Sequence, residues 1–125
     1  MSRPGSVGER PVHWVSSARR DLLAMPEAVV DDFGYAVGLI QFGGMPPSAK
    51  PWRGAGPGVL ELVDEHPSGA YRVVLVVRFR RAVYVLHCFQ KKSTRGIRTP
   101  AREVALVRER LRAAQADYEA RYGTS

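Results

Sequence analysis

The sequence predicts an α+β domain in which a helical hairpin packs on a small antiparallel sheet and a further helix follows at the C-terminus. Apolar residues recur at helical spacing between Ser17 and Gly43. Three runs rich in β-branched and aromatic residues follow between residues 59 and 89, as is typical of strands. An amphipathic stretch then closes the chain. With a short strand at residues 12–15, the expected order is β-α-α-β-β-β-α.

The helical hairpin is predicted from its start signals and its core stripe. Ser16 or Ser17 can cap the first helix, and Pro26 suits the first turn of the second. The second helix carries apolar residues at helical spacing: Val30, Phe33, Val37 and Ile40. Since few residues separate the two helices, we expect them to lie antiparallel. The Gly- and Pro-rich stretch at residues 43–57 is predicted to be a loop.

The three strand-like runs are Val59–Val63, Tyr71–Phe79 and Val83–Phe89. The middle run is apolar on both faces at its centre, which favours a central strand. Because side chains alternate along a strand, the face formed by every second residue from Tyr71 to Phe79 should pack on the helices. The other face is expected to stay partly open and carries Arg72, Val74, Val76 and Arg78.

The last helix is predicted to begin at Thr99-Pro100, with Thr99 as the cap and Pro100 as the first helical residue. Its narrow apolar stripe is free to dock on the sheet or on a partner. Residues 12–122 should therefore form a single domain, preceded by a flexible segment over residues 1–11 that is rich in Gly, Ser and Pro.

Composition excludes several classes of protein. No apolar run reaches the roughly 18–20 residues that a membrane-spanning helix needs, and the first residues lack the apolar core of a secretory signal. A single cysteine, Cys88, cannot form an intramolecular disulfide, and the three histidines lack metal-ligand spacing. We therefore expect a cytoplasmic protein with no membrane association, no metal and no cofactor.

The charge is strongly positive and unevenly distributed. The net charge is +7, and the stretch from Arg78 to Arg98 holds seven basic residues and no acidic one. Such a local field indicates a polyanionic partner, either a nucleic acid or an acidic protein. The alternative is a solvated basic face without a function.

Several segments together resemble the Gp49-like members of the RelE/ParE superfamily, which include HigB-type toxins. They are Lys50-Pro-Trp-Arg53, the strand Val59–Val63, Tyr71-Arg72-Val73, Val83-Tyr-Val-Leu-His87, Phe89-Gln-Lys-Lys-Ser93 and Thr99-Pro100. The resemblance extends from about Val12 to Tyr118. It implies a toxin that cuts messenger RNA on the ribosome and is held inactive by a cognate antitoxin, for HigB usually a helix-turn-helix protein. ParE relatives instead inhibit DNA gyrase, so the fold alone does not settle the activity.

The resemblance also implies a reaction without a metal, in which a 2′-hydroxyl attacks the adjacent phosphate and expels the 5′-oxygen. Fixed cations would stabilise the charge that develops, with a base and an acid for the two oxygens. Arg72 matches the central-strand arginine and is assigned to phosphate binding; its alternative role is an ion pair with Glu61 or Asp64. Lys91 and Lys92 match basic catalytic positions, although both can be merely solubilising.

Other candidates carry open alternatives. His87 has a pKa suited to acid–base chemistry, but it is equally interpretable as a core histidine. Lys50 and Arg53 flank Trp52, an arrangement that can hold phosphate and stack a base, unless Trp52 is a core residue. Arg78 and Arg95, within the basic stretch, complete the predicted phosphate-binding set.

Glu61 and Cys88 are set aside as catalytic candidates. Paired-carboxylate chemistry suits a basic surface poorly, and Cys88 has no nucleophile motif nearby. Active RelE relatives often carry basic residues on the strand that corresponds to Val59–Val63, where this chain has Leu60-Glu61-Leu62.

The leading hypothesis is a ribosome-dependent endoribonuclease toxin. The alternatives are a non-catalytic toxin such as a gyrase inhibitor and a phage-derived nucleic-acid-binding protein. We expect Arg72→Ala to relieve toxicity without unfolding the protein.

Overall fold

A computed structural model describes residues 8–91 and 99–123. The elements are β1 (Val12–Trp14), α1 (Ala18–Leu23), α2 (Glu27–Gln41), β2 (Ala49–Pro51), β3 (Val59–His66), β4 (Gly69–Val76), β5 (Val83–Lys91) and α3 (Ala101–Tyr122). The predicted α+β order is confirmed with one addition. The prediction of an unbroken loop over residues 43–57 is wrong, because β2 lies inside it and pairs antiparallel with β3. Pro51 is compatible with this strand because β2 lies at the edge of the sheet.

The sheet has the strand order β1-β5-β4-β3-β2. The contacts of β5 with β4 and of β4 with β3 are antiparallel, as predicted. The unpredicted β2 also pairs antiparallel with β3, whereas β1 pairs with β5 in parallel. β4 is the central strand. Its register with β3 places Val63 opposite Arg72, and its register with β5 places Phe89 opposite the same arginine.

The side chains of β4 alternate between two cores, one on each face of the sheet. Tyr71, Val73 and Leu75 pack with the hairpin helices α1 and α2, as predicted. Val74 and Val76 pack on the opposite face with residues of α3. The expectation that this second face stays partly open is therefore wrong along most of β4. The apolar stripe of α3 covers it, and burying both apolar surfaces together stabilises the fold.

The central strand ends earlier along the chain than predicted. β4 ends at Val76, so the alternation does not extend to the next residues. Phe79, expected on the hairpin side, instead packs in the α3-side core, where its ring stacks on Tyr118 with 4.5 Å between centroids. Arg78 is exposed on the surface, and its guanidinium donates to the carbonyl oxygen of Pro57 at 2.9 Å.

The helix starts differ from the expected capping in detail. Ser17 is the N-cap of α1, but its hydroxyl donates to the Asp21 carboxylate at 2.8 Å instead of accepting a backbone N–H. Pro26 and Pro100 are themselves the N-cap residues of α2 and α3, one position before the predicted place. The cap role assigned to Thr99 is therefore wrong. Each proline has an extended ψ angle, 146° for Pro26 and 144° for Pro100, which keeps it outside the helix that follows.

The chain before β1 is tied to the fold through Arg10. Its guanidinium donates to the carbonyl oxygens of Val77 at 3.0 Å, Phe79 at 2.8 Å and Ile40 at 3.0 Å. These bonds join the end of β4 to the end of α2. We propose that the folded domain begins at or before Arg10; residues 1–7 of the expected flexible segment lie outside the described residues.

Within residues 8–91 and 99–123, no helix is both long enough and apolar enough to cross a membrane. In the same part of the chain, no group of three or more His, Cys, Asp and Glu side chains is placed to bind a metal ion.

The first testable prediction concerns Gly38, in the middle of α2. A Cβ atom built at this position meets nothing within 4 Å. Glycine in an exposed helix interior costs about 1 kcal/mol relative to alanine. Gly38→Ala should therefore increase the free energy of unfolding by about that amount, as measured by urea denaturation. Gly44→Ala is the matched control, because its Cβ would lie only 3.1 Å from the carbonyl oxygen of Leu39. An unchanged or lower stability of Gly38→Ala would contradict this reading of α2.

The second prediction concerns Asp64 on β3. Its burial, together with the neighbouring Asp32 carboxyl, raises the pKa of Asp64 to about 6. Since this pKa is higher in the folded state, the stabilising contribution is complete below about pH 4 and is lost as the pH rises through about 6. Asp64→Asn should therefore raise the Tm at pH 7.5 and leave it nearly unchanged at pH 4. Glu65→Gln, at the exposed neighbouring position, is the control and should show no such pH dependence.

Candidate functional site

A cleft of about 790 Å³ opens on the α3 face of the sheet, where β2, β3, β4 and β5 present side chains beside the start of α3. Its lining residues are Lys50, Pro51, Trp52, Arg53, Glu61, Arg72, Lys91, Thr99 and Val104. Four of them are cations that the sequence predicted as site residues: Lys50, Arg53, Arg72 and Lys91. The structure therefore brings together side chains from five separate segments of the chain.

Sheet register explains why these side chains meet. Lys50 on β2 lies directly opposite Glu61 on β3. Glu61 pairs with Val74 on β4, which makes Arg72 its diagonal neighbour on the same face. Arg72 lies opposite Phe89 on β5, so Lys91 is the diagonal neighbour on the other side. The cleft is therefore lined by a row of cross-strand neighbours whose side chains all lie on the same face of the sheet.

Arg72 is not a free surface cation. Its side chain forms a salt bridge with Glu61 through Nη1 and Oε1, and the two residues are only 9% and 8% exposed. The alternative role considered for Arg72, an ion pair with Glu61, is therefore present. The Nε atom of Arg72 is buried and has no hydrogen-bond partner among the described residues. Arg72 thus keeps a donor that the carboxylate does not satisfy.

Glu61 is the site residue that sequence reasoning missed. It was set aside because a carboxylate fits a basic surface poorly, yet it lies in the cleft between Lys50 and Arg72. A signal was present in the sequence, since Glu61 and Arg72 were already weighed as an ion pair. The strand β2, which places Lys50 on the other side of the Glu61 carboxylate, was not predicted from the sequence.

Trp52 lies mainly in the α3-side core and is only 4% exposed, as its alternative interpretation had it. It also contributes to the cleft lining, and its buried Nε1 has no hydrogen-bond partner among the described residues. The exposed neighbours Lys50 and Arg53 flank it. In this arrangement, Trp52 fixes the position of the two cations, while a base-stacking role would require the ring to become accessible.

The loop after Trp52 is braced by arginines from other elements. Arg108 of α3 donates from Nε to the carbonyl oxygen of Gly54 at 2.6 Å, and Arg78 holds Pro57. Gly58 has φ +78°, and a Cβ there would lie 2.6 Å from the Cβ of Arg78. Arg78 was predicted to bind phosphate. It does not line the cleft, and its visible role is to support the loop that forms the rim.

His87 is a buried histidine with a full set of partners. Its Nε2 lies 2.6 Å from Oε1 of Glu103, its Nδ1 lies 3.5 Å from Arg110, and its ring stacks on Phe89 at 4.6 Å. It is not among the residues that line the cleft. The structure therefore matches the core-histidine alternative, and the catalytic role expected for His87 is not supported. These contacts instead hold the first turns of α3, which form one wall of the cleft.

The remaining predicted site residues are Lys91, Lys92 and Arg95, and the chain also has one cysteine. Lys91 lies in the cleft, whereas Lys92 and Arg95 fall outside the described residues. Cys88 is buried on the hairpin side, and burial raises the pKa of its thiol to about 12, so it is no nucleophile at neutral pH.

The electrostatics of the cleft follow from its lining. Four cations and one carboxylate give it a net positive charge, beside walls formed by Trp52 and Val104. Cations of one sign in a low-dielectric cleft concentrate the field and attract anions. A phosphodiester matches this arrangement, since guanidinium and ammonium groups bind phosphate oxygens and the exposed Lys50 and Arg53 are accessible to one.

Comparisons with known proteins identify a family and a fold. A family model described as "Phage derived protein Gp49-like (DUF891)" matches residues 20–112. Among solved structures, a mutant of the Escherichia coli toxin RelE in its free state has a TM-score of 0.52 at 15% identity, covering 78% of this chain and 92% of that one. The RelBE2 toxin–antitoxin complex from Mycobacterium tuberculosis contains a chain with a TM-score of 0.47 at 22% identity, covering 66% of this chain and 99% of that one.

A comparison with curated proteins found no match. The family model spans most of the chain, and the likeness to RelE, at its low sequence identity, concerns the fold. The chain belongs to the phage-derived Gp49-like family and has a fold like that of the toxin RelE.

Proposed function

We propose that this protein is the toxin of a type II toxin–antitoxin pair and that it cleaves messenger RNA on the ribosome. The observation that carries the proposal is the cationic cleft, in which Arg72 is fixed by Glu61 and still has an unpaired Nε. Membership of the Gp49-like family and the RelE-like fold support the toxin assignment. Ribosome-bound RNA as the substrate would place the protein in the cytoplasm.

The cleft holds the groups that a 2′-hydroxyl attack on phosphate requires. Glu61 is the one carboxylate among the described residues that line it, and we assign it as the base that takes the 2′-hydroxyl proton. The 2′-oxygen then bonds to phosphorus, and the bond from phosphorus to the 5′-oxygen breaks. Lys91, on the neighbouring side of Arg72, donates a proton to the departing 5′-oxygen. The product is a 2′,3′-cyclic phosphate, so atoms and charge balance without a metal ion.

Arg72 has two tasks in this scheme. Through Nη1 it holds the Glu61 carboxylate, and its positive charge in the cleft stabilises the phosphate whose charge grows in the transition state. Lys50 and Arg53 extend the positive surface along the rim, where they bind neighbouring phosphates of the strand. The scheme requires RNA, because DNA lacks the attacking 2′-hydroxyl.

The antitoxin partner follows from the same assignment. A toxin that arrests translation must be restrained in the cell that makes it, and we propose a small helix-turn-helix protein encoded beside this chain. Its binding would keep messenger RNA on the ribosome out of the cleft, either by covering the cleft or by preventing the toxin from docking on the ribosome.

The third prediction tests the activity. Inducing the protein in bacteria should arrest growth and produce new transcript 5′ ends within translated regions. Glu61→Gln keeps the size of the side chain and an oxygen that can accept from Arg72, but it removes the base and the charge that offsets the buried guanidinium. Cleavage should fall by roughly 10²- to 10⁴-fold, and circular dichroism should show that the variant is still folded. Arg112→Ala, at an exposed position of α3 outside the cleft, is the control and should cleave like the wild type.

The same experiment distinguishes the competing functions. Growth arrest with DNA breaks and intact transcripts would indicate a gyrase inhibitor and overturn the ribonuclease proposal. Unchanged cleavage by Glu61→Gln would refute the role of Glu61 as the base.

The fourth prediction separates chemistry from stability at the buried ion pair. Arg72→Ala leaves the Glu61 charge buried and unpaired, which should cost about 3–5 kcal/mol of unfolding free energy. We therefore expect Arg72→Ala to destabilise the fold, in contrast to the expectation from the sequence. The double variant Arg72→Met with Glu61→Leu replaces both charges by apolar groups and should recover most of that stability.

Urea denaturation measures this stability, and transcript mapping measures cleavage. The double variant should be stable and inactive. A stable double variant that still cleaves RNA would show that the pair only supports the fold.

A further inference from the structure

We propose that the outward face of α2 binds an amphipathic helix of the partner protein, a helix with an apolar stripe and lysine or arginine residues near one end. The proposal rests on the toxin–antitoxin function, because it takes the antitoxin as the source of that helix. The α2 outer face consists of Glu27, Asp31, Gly34, Tyr35, Gly38 and Phe42. At 100° per residue, these positions lie opposite the buried side of α2.

Large apolar side chains on this face are exposed to an unusual degree. Tyr35 is 72% exposed and Phe42 is 60% exposed, and Met45 just beyond the helix is also exposed. Scattered apolar residues are ordinary on protein surfaces, but a grouped apolar patch marks an interaction site. Aromatic residues in such a patch are the residue type that most often carries binding energy.

Two glycines on the same face of α2, Gly34 and Gly38, have no visible role within the chain. A Cβ at Gly34 or Gly38 would meet nothing within 4 Å, and neither residue has a positive φ angle. Glycine weakens an exposed helix, so each lowers the stability of α2 without an intramolecular gain. Missing side chains do, however, let another helix approach the backbone of α2 closely. Tyr35 and Phe42 lie beside these glycines on the same face of α2.

The charge of α2 indicates which helix fits. The helix sequence EAVVDDFGYAVGLIQ contains three acidic residues and no basic one, in a chain whose net charge is +7. Glu27 and Asp31 are exposed on the outer face, so negative charge lies on its N-terminal half, and Asp32 is exposed on the neighbouring side of the helix. An apolar helix with cations near one end would place those cations beside Glu27 and Asp31. Complementary charge of this kind also sets the direction in which the helix lies.

The α2 outer face and the cleft lie on opposite sides of the sheet. The hairpin helices cover one face, while α3 and the cleft occupy the other. RNA is drawn to the cationic cleft and repelled by α2, whereas a cationic helix is drawn to α2. The partner can therefore remain bound on α2 without competing with RNA for the same groups.

A second copy of the chain fits this face less well than a cationic partner. Two α2 helices facing each other would bring negative charges from both copies to the interface, with no cation of α2 to offset them. Self-association is therefore kept as an outcome of the test.

The fifth prediction uses the small protein encoded beside this chain as the binding probe, with Glu61→Gln as the non-toxic background. Tyr35→Ala, Gly38→Leu and Asp31→Lys should each weaken binding by about tenfold or more, as measured by calorimetry. Gly38→Leu should fold at least as well as the background, because the space at this position is open. Ala116→Leu, at an exposed position of α3, is the matched control and should bind like the background.

Asp31→Lys adds a readout that loss of packing would not give. The background complex should weaken as the salt concentration rises, and this dependence should be smaller for Asp31→Lys. Toxicity in cells gives the parallel measurement: active chains carrying Gly38→Leu should escape restraint by the probe protein, while active chains carrying Ala116→Leu should not.

Each outcome has a separate meaning. If the neighbouring protein neither binds nor restrains the chain, the toxin–antitoxin proposal fails and this surface fails with it. If it binds and restrains all variants equally, only the α2 outer face is wrong. If the isolated chain sediments as a dimer that Gly38→Leu converts to a monomer, a second copy occupies the face and the proposal is overturned.

Discussion

The buried ion pair between Arg72 and Glu61 is the constraint around which the cleft is organised. Burying two charges away from solvent costs free energy, and each charge offsets that cost for the other only while both are present. Their contact needs the correct register between β3 and β4, because a slip by one residue would send one of them to the hairpin side. The pair therefore ties the geometry of a reactive carboxylate to the pairing of the two strands.

The helix α3 converts this pair into a site. Without it, the same face of the sheet would expose Val74 and Val76 to water, and the ion pair would be weakened by solvent. α3 is held to the sheet partly by polar contacts, since Glu103 meets His87 and Arg110 donates to the carbonyl oxygen of Leu86 at 3.0 Å. His87 thus contributes by fixing a wall of the cleft, at a distance from the reacting groups.

Much of the fold could be read from local patterns, and the limits lay where distant segments meet. Alternation along β4 placed Tyr71, Val73 and Leu75 on the hairpin side correctly, because strand periodicity is a local property. Periodicity could not say that α3 would cover the other face, since its stripe fits a sheet or a partner equally. The four cations that line the cleft were among the predicted site residues, Arg72 and Lys91 through the family resemblance and Lys50 and Arg53 through their position beside Trp52. Glu61 was set aside because its surroundings depend on β2, a strand of three residues without a strong signal.

The sheet also separates the cationic cleft from the acidic outer face of α2. If the cleft binds RNA, as we propose, the acidic face would disfavour RNA beside α2 and favour a cationic regulator there. The two weakening glycines of α2 fit this division, since stability is given up where the partner would bind, away from the cleft.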